Sequence, residues 1–385
     1  MDGLVQDNDH KGAAFHGNVG AHRVIIAGGG TGGHIFPAIA IANALKRLEP
    51  GIEILFVGAR GKMEMEKVPE AGYKIVGLDI AGFNRSSLIK NIGLPFKLLK
   101  SFFQVRKIMK EFKPQAAIGV GGYSSFPVLR LAMQTGIPGF IHESNSFAGK
   151  SNILLGKRAT RIFVAARGMK KFFPEQKIMF TGNPIRADIA NIRVGREEGL
   201  RFFGLDPALK TVLAMGGSLG AKSINEAIAA HIEEFGQNNL QLIWQTGRMF
   251  FEKAQQLSSS RKNIWTGSFI TGMEYAFAGA DLVISRAGAM AIAELCVVKK
   301  PVVFVPYPFA AEDHQTVTAQ YMVQQNAGLL VKDNEAGEKL VKTVIDLAKD
   351  ENRQNELKKN IGALAITDAD NKIASEVLRV LNAIH

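Results

Sequence analysis

The stretch Val24–Leu45, VIIAGGGTGGHIFPAIAIANAL, passes from a short apolar run through a glycine-rich loop into a segment with helical periodicity. The run Val24–Ala27 is rich in β-branched residues and too short for a helix, which predicts a buried strand. Apolar residues then recur at helical spacing, at Ile35, Ile39, Ala42 and Leu45. The order strand, glycine loop, helix places free backbone N–H groups and the positive end of a helix dipole at one spot. Glycine suits this loop because a side chain would block the close approach of a phosphate or a sugar.

A second stretch repeats this pattern later in the chain. Residues 211–221, TVLAMGGSLGA, run from an apolar strand into a glycine turn, and a helical segment follows from Ile224. The matched pairs share one offset of 187 residues: Ala27 with Ala214, Gly30 with Gly217, Gly33 with Gly220. One such turn is common in α/β proteins, but two in register indicate a repeated unit. We therefore predict an α/β fold of two Rossmann-like domains that face each other across a cleft.

Length and composition agree with this fold. The chain has 385 residues, which is too many for one compact core and suits two domains. It contains no run of 18 apolar residues, so we expect no transmembrane helix. Residues 1–21 are polar and lack the apolar centre of a signal peptide, so we expect a loose N-terminal extension. The single cysteine, Cys296, excludes an internal disulfide, and we expect it to be a buried apolar residue.

Positive charge is concentrated in the first half of the chain. Residues 1–190 carry 26 Lys and Arg against 13 Asp and Glu, whereas residues 191–385 carry 21 against 22. This asymmetry predicts an anionic partner for the first domain: nucleic acid, phospholipid or a pyrophosphate substrate.

Residues 82–113 are the most basic segment, with eight basic residues against the single acid Glu111. From Leu94 onward the pattern predicts an amphipathic helix with its apolar stripe packed inward. Apolar residues flanked by lysines, as around residues 88–96, are typical of the surface of an anionic bilayer. The candidate membrane patch is Leu88, Lys90, Ile92, Leu94, Phe96 and Lys97. The alternative is a core helix with a solvated basic face; nucleic acid is disfavoured because no recognised binding motif accompanies the charge.

Chain order predicts the domain boundaries. We assign residues 22–184 to the first domain and 185–366 to the second, with a linker around Gly182–Arg186 in which Pro184 favours an extended Asn183. Residues 367–385 form a last helix that could pack back on the first domain. The Asp-x-Asp string Asp368–Asp370 directly precedes this helix, and we interpret it as an N-cap and not a metal site.

Two enzyme classes fit the glycine loops. Gly28–Gly33 matches the G-x-G-x-x-G of dinucleotide dehydrogenases, with Glu53 as a poor candidate for the ribose acid. That match alone is weak and leaves the second loop without a role. A nucleotide-sugar transferase uses both loops, because the turn before Glu294 can face a diphosphate and Glu294 can accept hydrogen bonds from a ribose. His314 and Gln315 suit sugar hydroxyls, although both could be surface residues at a helix start.

The motifs together resemble the MurG family of bacterial glycosyltransferases, which add N-acetylglucosamine to the undecaprenyl-pyrophosphoryl muramyl-pentapeptide precursor of the cell wall. The resemblance covers nearly the whole chain beyond residue 22. Its motifs are Gly29–His34, Gly121–Tyr123, His142–Asn145, Gly182–Arg186, Gly216–Ser218, Phe269–Ile270, Arg286–Ala289, Glu294 and Asp313–Gln315.

The resemblance implies an inverting hexosyltransferase of the GT-B architecture, with UDP-N-acetylglucosamine as donor, the 4-hydroxyl of the lipid-linked muramyl sugar as acceptor, and neither cofactor nor metal. It implies uracil near Ile270, diphosphate at Ser218 and at Ala289, Met290 and Ala291, ribose at Glu294 and sugar at Gln315. It further implies donor contacts from Asn145 and Arg186, and places Thr31, Gly32 and Gly33 between donor and acceptor pyrophosphate. The implied location is the cytoplasmic face of the inner membrane, as a peripheral protein with partners among the cell-wall synthesis proteins.

Three positions depart from the family pattern. Leu219 and Ser144 stand where glutamine is common, and Thr318 where asparagine is common. None of them removes a charged or phosphate-binding group, so we expect activity to be retained.

The catalytic base is the open question. His34 lies in the inter-domain glycine loop and titrates near neutrality, so we take it as the candidate base, with Glu143 as the competitor. Other function classes remain in view: a transferase with a different lipid acceptor, a nucleotide-sugar epimerase and a dehydrogenase. An epimerase would not need the basic apolar patch.

Overall fold

The structure, a computed structural model, describes residues 21–80, 94–217, 219–310 and 313–383. Ser218 and the patch residues Leu88, Lys90 and Ile92 lie outside these ranges.

The first half of the chain forms one parallel sheet. Its strands are β1 (Arg23–Ala27), β2 (Glu53–Ala59), β3 (Lys74–Leu78), β4 (Ala116–Gly119), β5 (Gly139–Glu143), β6 (Arg161–Val164) and β7 (Ile178–Phe180). They are ordered β3-β2-β1-β4-β5-β6-β7. The helices between them are α1 (Gly32–Leu48), α2 (Glu64–Glu70), α3 (Leu94–Phe112), α4 (Ser125–Gln134) and α5 (Lys150–Gly156).

The second half forms another parallel sheet, ordered β10-β9-β8-β11-β12-β13. Its strands are β8 (Lys210–Met215), β9 (Leu240–Gln245), β10 (Ile264–Gly267), β11 (Leu282–Ser285), β12 (Val302–Phe304) and β13 (Leu329–Leu330). The helices of this half are α6 (Ala187–Ala190), α7 (Arg196–Phe202), α8 (Lys222–Ala230), α9 (Ile232–Gln237), α10 (Arg248–Ser258), α11 (Met273–Gly279), α12 (Ala289–Val298), α13 (His314–Gln324), α14 (Ala336–Lys349), α15 (Glu351–Ala363) and α16 (Ala369–Asn382).

Both sheets have the same switch point. In the first, the strand order reverses between β1 and β4, and in the second between β8 and β11. Ligands of open α/β sheets bind outside the carboxyl ends of the strands at such a point. The two predicted glycine loops lie there, one directly after β1 and the other directly after β8. The predicted α/β fold of two Rossmann-like domains is confirmed.

Helices cover both faces of each sheet, which is why the strands are continuously apolar. Along β1, Val24 and Ile26 belong to the core cluster under α1, whereas Ile25 and Ala27 belong to the cluster on the opposite face. This alternation follows from the two-residue period of a strand.

The last helix, α16, joins the core of the first domain. Ile373, Val377 and Leu381 are buried in the same cluster as the apolar face of α1, and the Asp370 carboxylate pairs with Arg47 of α1 at 2.6 Å. Asp368 stands at the N-cap position of α16, but its side chain makes no capping hydrogen bond. Its carboxylate pairs instead with Lys372 at 2.9 Å. Asp368 therefore occupies the predicted N-cap position, but its side chain does not cap the helix.

Helix α3 confirms the amphipathic prediction from Leu94 onward. Its inner face buries Val105, Ile108 and Phe112. Its outer face leaves Phe96 and Phe103 77% and 66% exposed, although both are large apolar residues. Of the helices that the structure describes, none is long and apolar enough to cross a bilayer.

Candidate functional site

A cleft of about 1240 Å³ lies between the two domains. Thr31, Gly32, Gly33 and Phe36 line it from the first domain, where α1 begins. The linker contributes Arg186. The second domain contributes a larger group that includes Gly216, Leu219, Ile270, Met290, Ala291, Glu294, Tyr307 and Gln315. The predicted cleft therefore exists, and residues implied for the donor and for the junction with the acceptor share it.

The glycine loop after β1 packs against the loop after β4. The Gly29 N–H donates to the Gly121 carbonyl at 3.3 Å. A Cβ at Gly122 would lie 2.5 Å from the Gly29 oxygen, which is closer than side chains approach. Gly122 also has φ of +86°, a conformation that favours glycine. Close stacking of two backbone loops therefore requires glycine here.

His34 lies on this stacked pair of loops. Its Nδ1 is 3.1 Å from the Gly29 carbonyl oxygen. A carbonyl only accepts, so we assign the proton of the neutral ring to Nδ1, which leaves the lone pair on Nε2. A Cβ at residue 121 would lie 2.7 Å from Nε2, so glycine at this position leaves room for that nitrogen. Burial lowers the pKa of His34, while the Gly29 hydrogen bond and the charges of Glu143 and Glu64 oppose the change.

Glu143, the competing base, is engaged in organising a loop. Its Oε1 accepts hydrogen bonds from the backbone N–H and the side-chain amide of Asn145, at 3.1 and 3.3 Å. Its Oε2 accepts from Gly149 N at 3.0 Å and from the Asn152 amide at 2.8 Å. The side chain is 4% exposed. Four hydrogen bonds occupy the acceptor sites of one carboxylate and fix the loop that carries Asn145.

His142 and Asn183 connect this loop to the linker. His142 is fully buried, and burial together with the nearby His34 lowers its pKa to about 4. The Asn183 amide donates to the Ser144 carbonyl at 3.2 Å and to the Ala289 carbonyl at 3.4 Å. Asn183 thereby touches the first domain and the start of α12 in the second.

Helix α12 carries the residues implied for the diphosphate and the ribose. Gly288 is its N-cap, and the first N–H groups of a helix have no intrahelical acceptor. Met290 and Ala291 line the cleft at this end, with Ala289 beside the linker. Glu294, one turn further, is 8% exposed and accepts from Arg186 Nε at 3.0 Å. Burial raises the pKa of Glu294, and the Arg186 charge opposes that change.

Arg286 lines the cleft from the second domain. Its guanidinium donates to the carbonyls of Val305 and Pro306 at 3.0 and 3.3 Å and pairs with Asp333. It also lies 5.4 Å from the ring centre of Tyr307. These bonds tie the turn after β11 to the loop after β12.

The predicted sugar-binding residues stand at the start of α13. Gln315 lines the cleft, and its side-chain oxygen accepts from the Tyr307 N–H at 3.0 Å. His314 is the first residue of the same helix and is not among the described residues that line the cleft.

Sequence reasoning missed Glu64, Phe36 and Asp333. Glu64 is 1% exposed and accepts from the Gly30 N–H at 2.8 Å. One signal could have found it: Glu64 and Val68 are four residues apart, so a charge occupies the buried face of a short helix. Phe36 and Asp333 carry no comparable signal, because their partners are distant in the chain. In the described part of the chain, no three or more His, Cys, Asp or Glu side chains are grouped to hold a metal ion.

Comparisons with known proteins give matches to both domains. Residues 24–164 match the N-terminal domain of glycosyltransferase family 28, and residues 211–373 match its C-terminal domain. The chain is 48% identical over 363 residues to the UDP-N-acetylglucosamine–N-acetylmuramyl-(pentapeptide) pyrophosphoryl-undecaprenol N-acetylglucosamine transferase of Parabacteroides distasonis, covering 94% of this chain and 99% of that one. It is 49% identical over 361 residues to the transferase of the same name from Phocaeicola vulgatus, covering 93% and 96%.

Solved structures also superpose on almost the whole chain. The crystal structure of Acinetobacter baumannii MurG superposes with a TM-score of 0.72 at 27% identity, covering 93% of this chain and 99% of that one. A UDP-N-acetylglucosamine 2-epimerase superposes with a TM-score of 0.68 at 14% identity over 94% and 97%, which reflects the shared fold. The two domain matches and the close relatives along almost the whole sequence lead to one conclusion: the chain belongs to glycosyltransferase family 28 and, within it, to the MurG family.

Proposed function

We propose that this chain transfers N-acetylglucosamine from UDP-N-acetylglucosamine to the 4-hydroxyl of the muramyl sugar of undecaprenyl-pyrophosphoryl-linked muramyl-pentapeptide, converting lipid I to lipid II in peptidoglycan synthesis. The observation that carries this proposal is the 48% identity, along 94% of the chain, to a transferase named for that reaction. The cleft supports it, because a two-substrate transfer needs one space lined by both domains.

The donor binds the second domain in this proposal. The start of α12 offers free N–H groups and the positive end of the helix dipole to the diphosphate at Ala289, Met290 and Ala291. Glu294 accepts hydrogen bonds from the ribose hydroxyls. Its carboxylate has about four acceptor sites, so it can do this while retaining Arg186.

In this proposal, the uracil and the sugar of the donor lie on either side of the diphosphate. Ile270 is buried beside the cleft and packs against uracil, and Gln315 reaches the sugar. Ser218 would add a contact to the diphosphate; it lies outside the described residues. Arg186, at the cleft and 19% exposed, supplies positive charge near the departing UDP.

His34 is the proposed general base of the first domain. The Nδ1 hydrogen bond to Gly29 leaves Nε2 free to accept the proton of the muramyl 4-hydroxyl as that oxygen attacks the anomeric carbon. Burial lowers the pKa of His34, so the ring is neutral at neutral pH, as a base must be. Glu143 is the weaker candidate because four hydrogen bonds already engage it, two of them from Asn145.

The exposed face of α3 is the proposed membrane contact. Phe96 and Phe103 project from it beside Lys97 and Lys100, and apolar side chains among lysines suit an anionic bilayer surface. The lipid-linked acceptor would then reach the cleft from the cytoplasmic face of the inner membrane, with the enzyme bound peripherally.

Transfer of radiolabel from UDP-N-acetylglucosamine to a lipid-linked muramyl-pentapeptide acceptor tests the activity. We expect labelled lipid that forms only when acceptor is present. Conversion of the free nucleotide sugar to its 2-epimer without acceptor would instead assign the chain to the epimerase class that shares its fold.

A further inference from the structure

Glu64 is a buried carboxylate for which the proposed reaction has no role so far. It begins α2, is 1% exposed, and contacts the Gly28–Gly33 loop through a hydrogen bond from the Gly30 N–H. A buried charge is costly unless it is hydrogen-bonded, so its contacts indicate what it does.

The carboxylate is held by two backbone donors. Oε2 accepts from Gly30 N at 2.8 Å and Oε1 accepts from Ala59 N at 3.0 Å. A Cβ at Gly29 would lie 2.2 Å from the Glu64 carboxyl carbon, and a Cβ at Gly58 would lie 2.5 Å from its Cγ. The side chain therefore fits only because both neighbouring positions are glycine.

One peptide group connects Glu64 to His34. The N–H that Glu64 accepts from belongs to Gly30, and the carbonyl that faces His34 Nδ1 at 3.1 Å belongs to Gly29. These two groups are the opposite ends of the same planar peptide unit. A hydrogen bond at one end fixes the plane and polarises the other end.

We propose that Glu64 is a positioning residue for His34, acting through the Gly29–Gly30 peptide. By holding the Gly30 N–H, it aims the Gly29 carbonyl at Nδ1, which keeps the proton on Nδ1 and the lone pair on Nε2. This inference rests on the proposed role of His34 as the base. It also means that the Gly30 N–H serves Glu64 and not a bound phosphate.

Three charged or titratable groups surround the His34 ring. Glu64 approaches from α2, and Glu143 and His142 approach from β5. The negative charges of Glu143 and Glu64 raise the pKa of His34 against the larger effect of burial, which lowers it. Removing the charge of Glu64 therefore lowers the pKa of His34 further.

Two substitutions separate the charge of Glu64 from its reach. Glu64→Gln keeps the length and removes the charge, and it sets an amide NH₂ against one of two backbone donors. Glu64→Asp keeps the charge but is one methylene shorter and cannot hold both donors. Glu66→Gln is the matched control, because Glu66 lies two residues along α2 and its side chain is 72% exposed.

The primary readout is the ¹⁵N NMR titration of His34 in the full chain, which reports its pKa and tautomer without any turnover. For Glu64→Gln we expect a lower His34 pKa and a mixture of tautomers. For Glu64→Asp we expect a His34 pKa close to that of the parent protein, but the same mixture of tautomers as in Glu64→Gln. Glu66→Gln should titrate like the parent, and thermal unfolding with UDP binding checks that each variant is folded.

Kinetics provide the second readout. We expect kcat/KM to fall about 10- to 100-fold in both Glu64 variants, as misplacement of a reacting group does, while the KM for the donor changes less than about twofold. The acid limb of the pH profile should move to lower pH in Glu64→Gln only.

The outcomes distinguish this inference from the proposed reaction. If His34 keeps its pKa and tautomer in Glu64→Gln, the positioning role is wrong, whatever happens to turnover. If the titration changes as expected but turnover does not, the link between Glu64 and His34 stands and the assignment of His34 as the base fails.

Discussion

Arg186 and Glu294 form an ion pair in the cleft, with 3.0 Å between Nε and Oε1 and with both side chains mostly buried. The same guanidinium lies 4.9 Å from the ring centre of Phe36, at the start of α1 in the first domain. Arg186 therefore touches both walls of the cleft, and its carboxylate partner is the residue proposed to bind the donor ribose. A ligand at Glu294 acts directly on a side chain that joins the two domains.

Glu294→Gln should weaken donor binding more than it slows chemistry. The substitution removes a charged acceptor from the ribose and leaves the Arg186 guanidinium without its partner. Hydrogen bonds to charged groups contribute about 1.5–3 kcal/mol, so we expect the KM for UDP-N-acetylglucosamine and the Kd for UDP to rise about 10- to 100-fold. Glu338→Gln, the same change at an exposed position of α14, is the control. A donor KM within about twofold of the parent would remove Glu294 from the ribose site.

His34→Ala should have the opposite signature. Loss of a general base lowers turnover about 10²- to 10⁴-fold, whereas UDP, which we propose binds in the second domain, should keep its affinity. In the parent protein the lowered pKa of His34 places the acid limb of kcat/KM below the usual range for histidine, and this limb should vanish in the variant. His231→Ala, on the surface of the second domain, serves as the control. Turnover within a few-fold of the parent would make the assignment wrong.

Local patterns in the sequence predicted the fold, because the strands, glycine loops and helices that build it are each determined by residues close together in the chain. The strand, glycine loop and helix of Val24–Leu45 follow from periodicity and from the backbone freedom of glycine. β13 was not predicted, since two residues are too few for any period. The amphipathic pattern predicted α3, and Phe96 was already part of the predicted membrane patch. The exposure of Phe103 could be identified only once the packing of the other face of α3 was known.

The site was less accessible to sequence reasoning, because its contacts join distant positions. Arg186 and Glu294 are 108 residues apart, and Glu64 reaches Gly30 across 34. Motifs placed both members of the first pair at the donor without showing that they bind each other. Glu143 fitted a catalytic base by residue type. The sequence did not show that its carboxylate accepts hydrogen bonds from Asn145, Gly149 and Asn152, although all three lie within nine positions of it.

The exposed phenylalanines of α3 should determine binding to bilayers. We expect the double variant Phe96→Ser, Phe103→Ser to bind vesicles containing phosphatidylglycerol at least about tenfold more weakly, since burying one phenylalanine contributes about 1.5–3 kcal/mol. Binding of the parent should weaken with salt, because lysines contribute through charge. Leu48→Ser, at an exposed apolar position of α1 in the same domain, is the control in a sedimentation assay. Equal binding by the double variant and the parent would exclude α3 as the membrane contact.

His142 should make folding stability depend on pH. Its pKa is about 4 in the folded protein because the ring is buried, whereas an unfolded chain takes up the proton near 6.5. The unfolded state therefore binds more protons between these values, and the free energy of unfolding falls as pH drops from about 6.5 to 4. The contribution is roughly 3 kcal/mol, at about 1.4 kcal/mol per pKa unit. His142→Gln cannot titrate, so the stability gap between parent and variant in urea unfolding should be largest at pH 7 and narrow by that amount at pH 4. A gap of the same size at both pH values would show that His142 does not enter the folded core as a neutral ring.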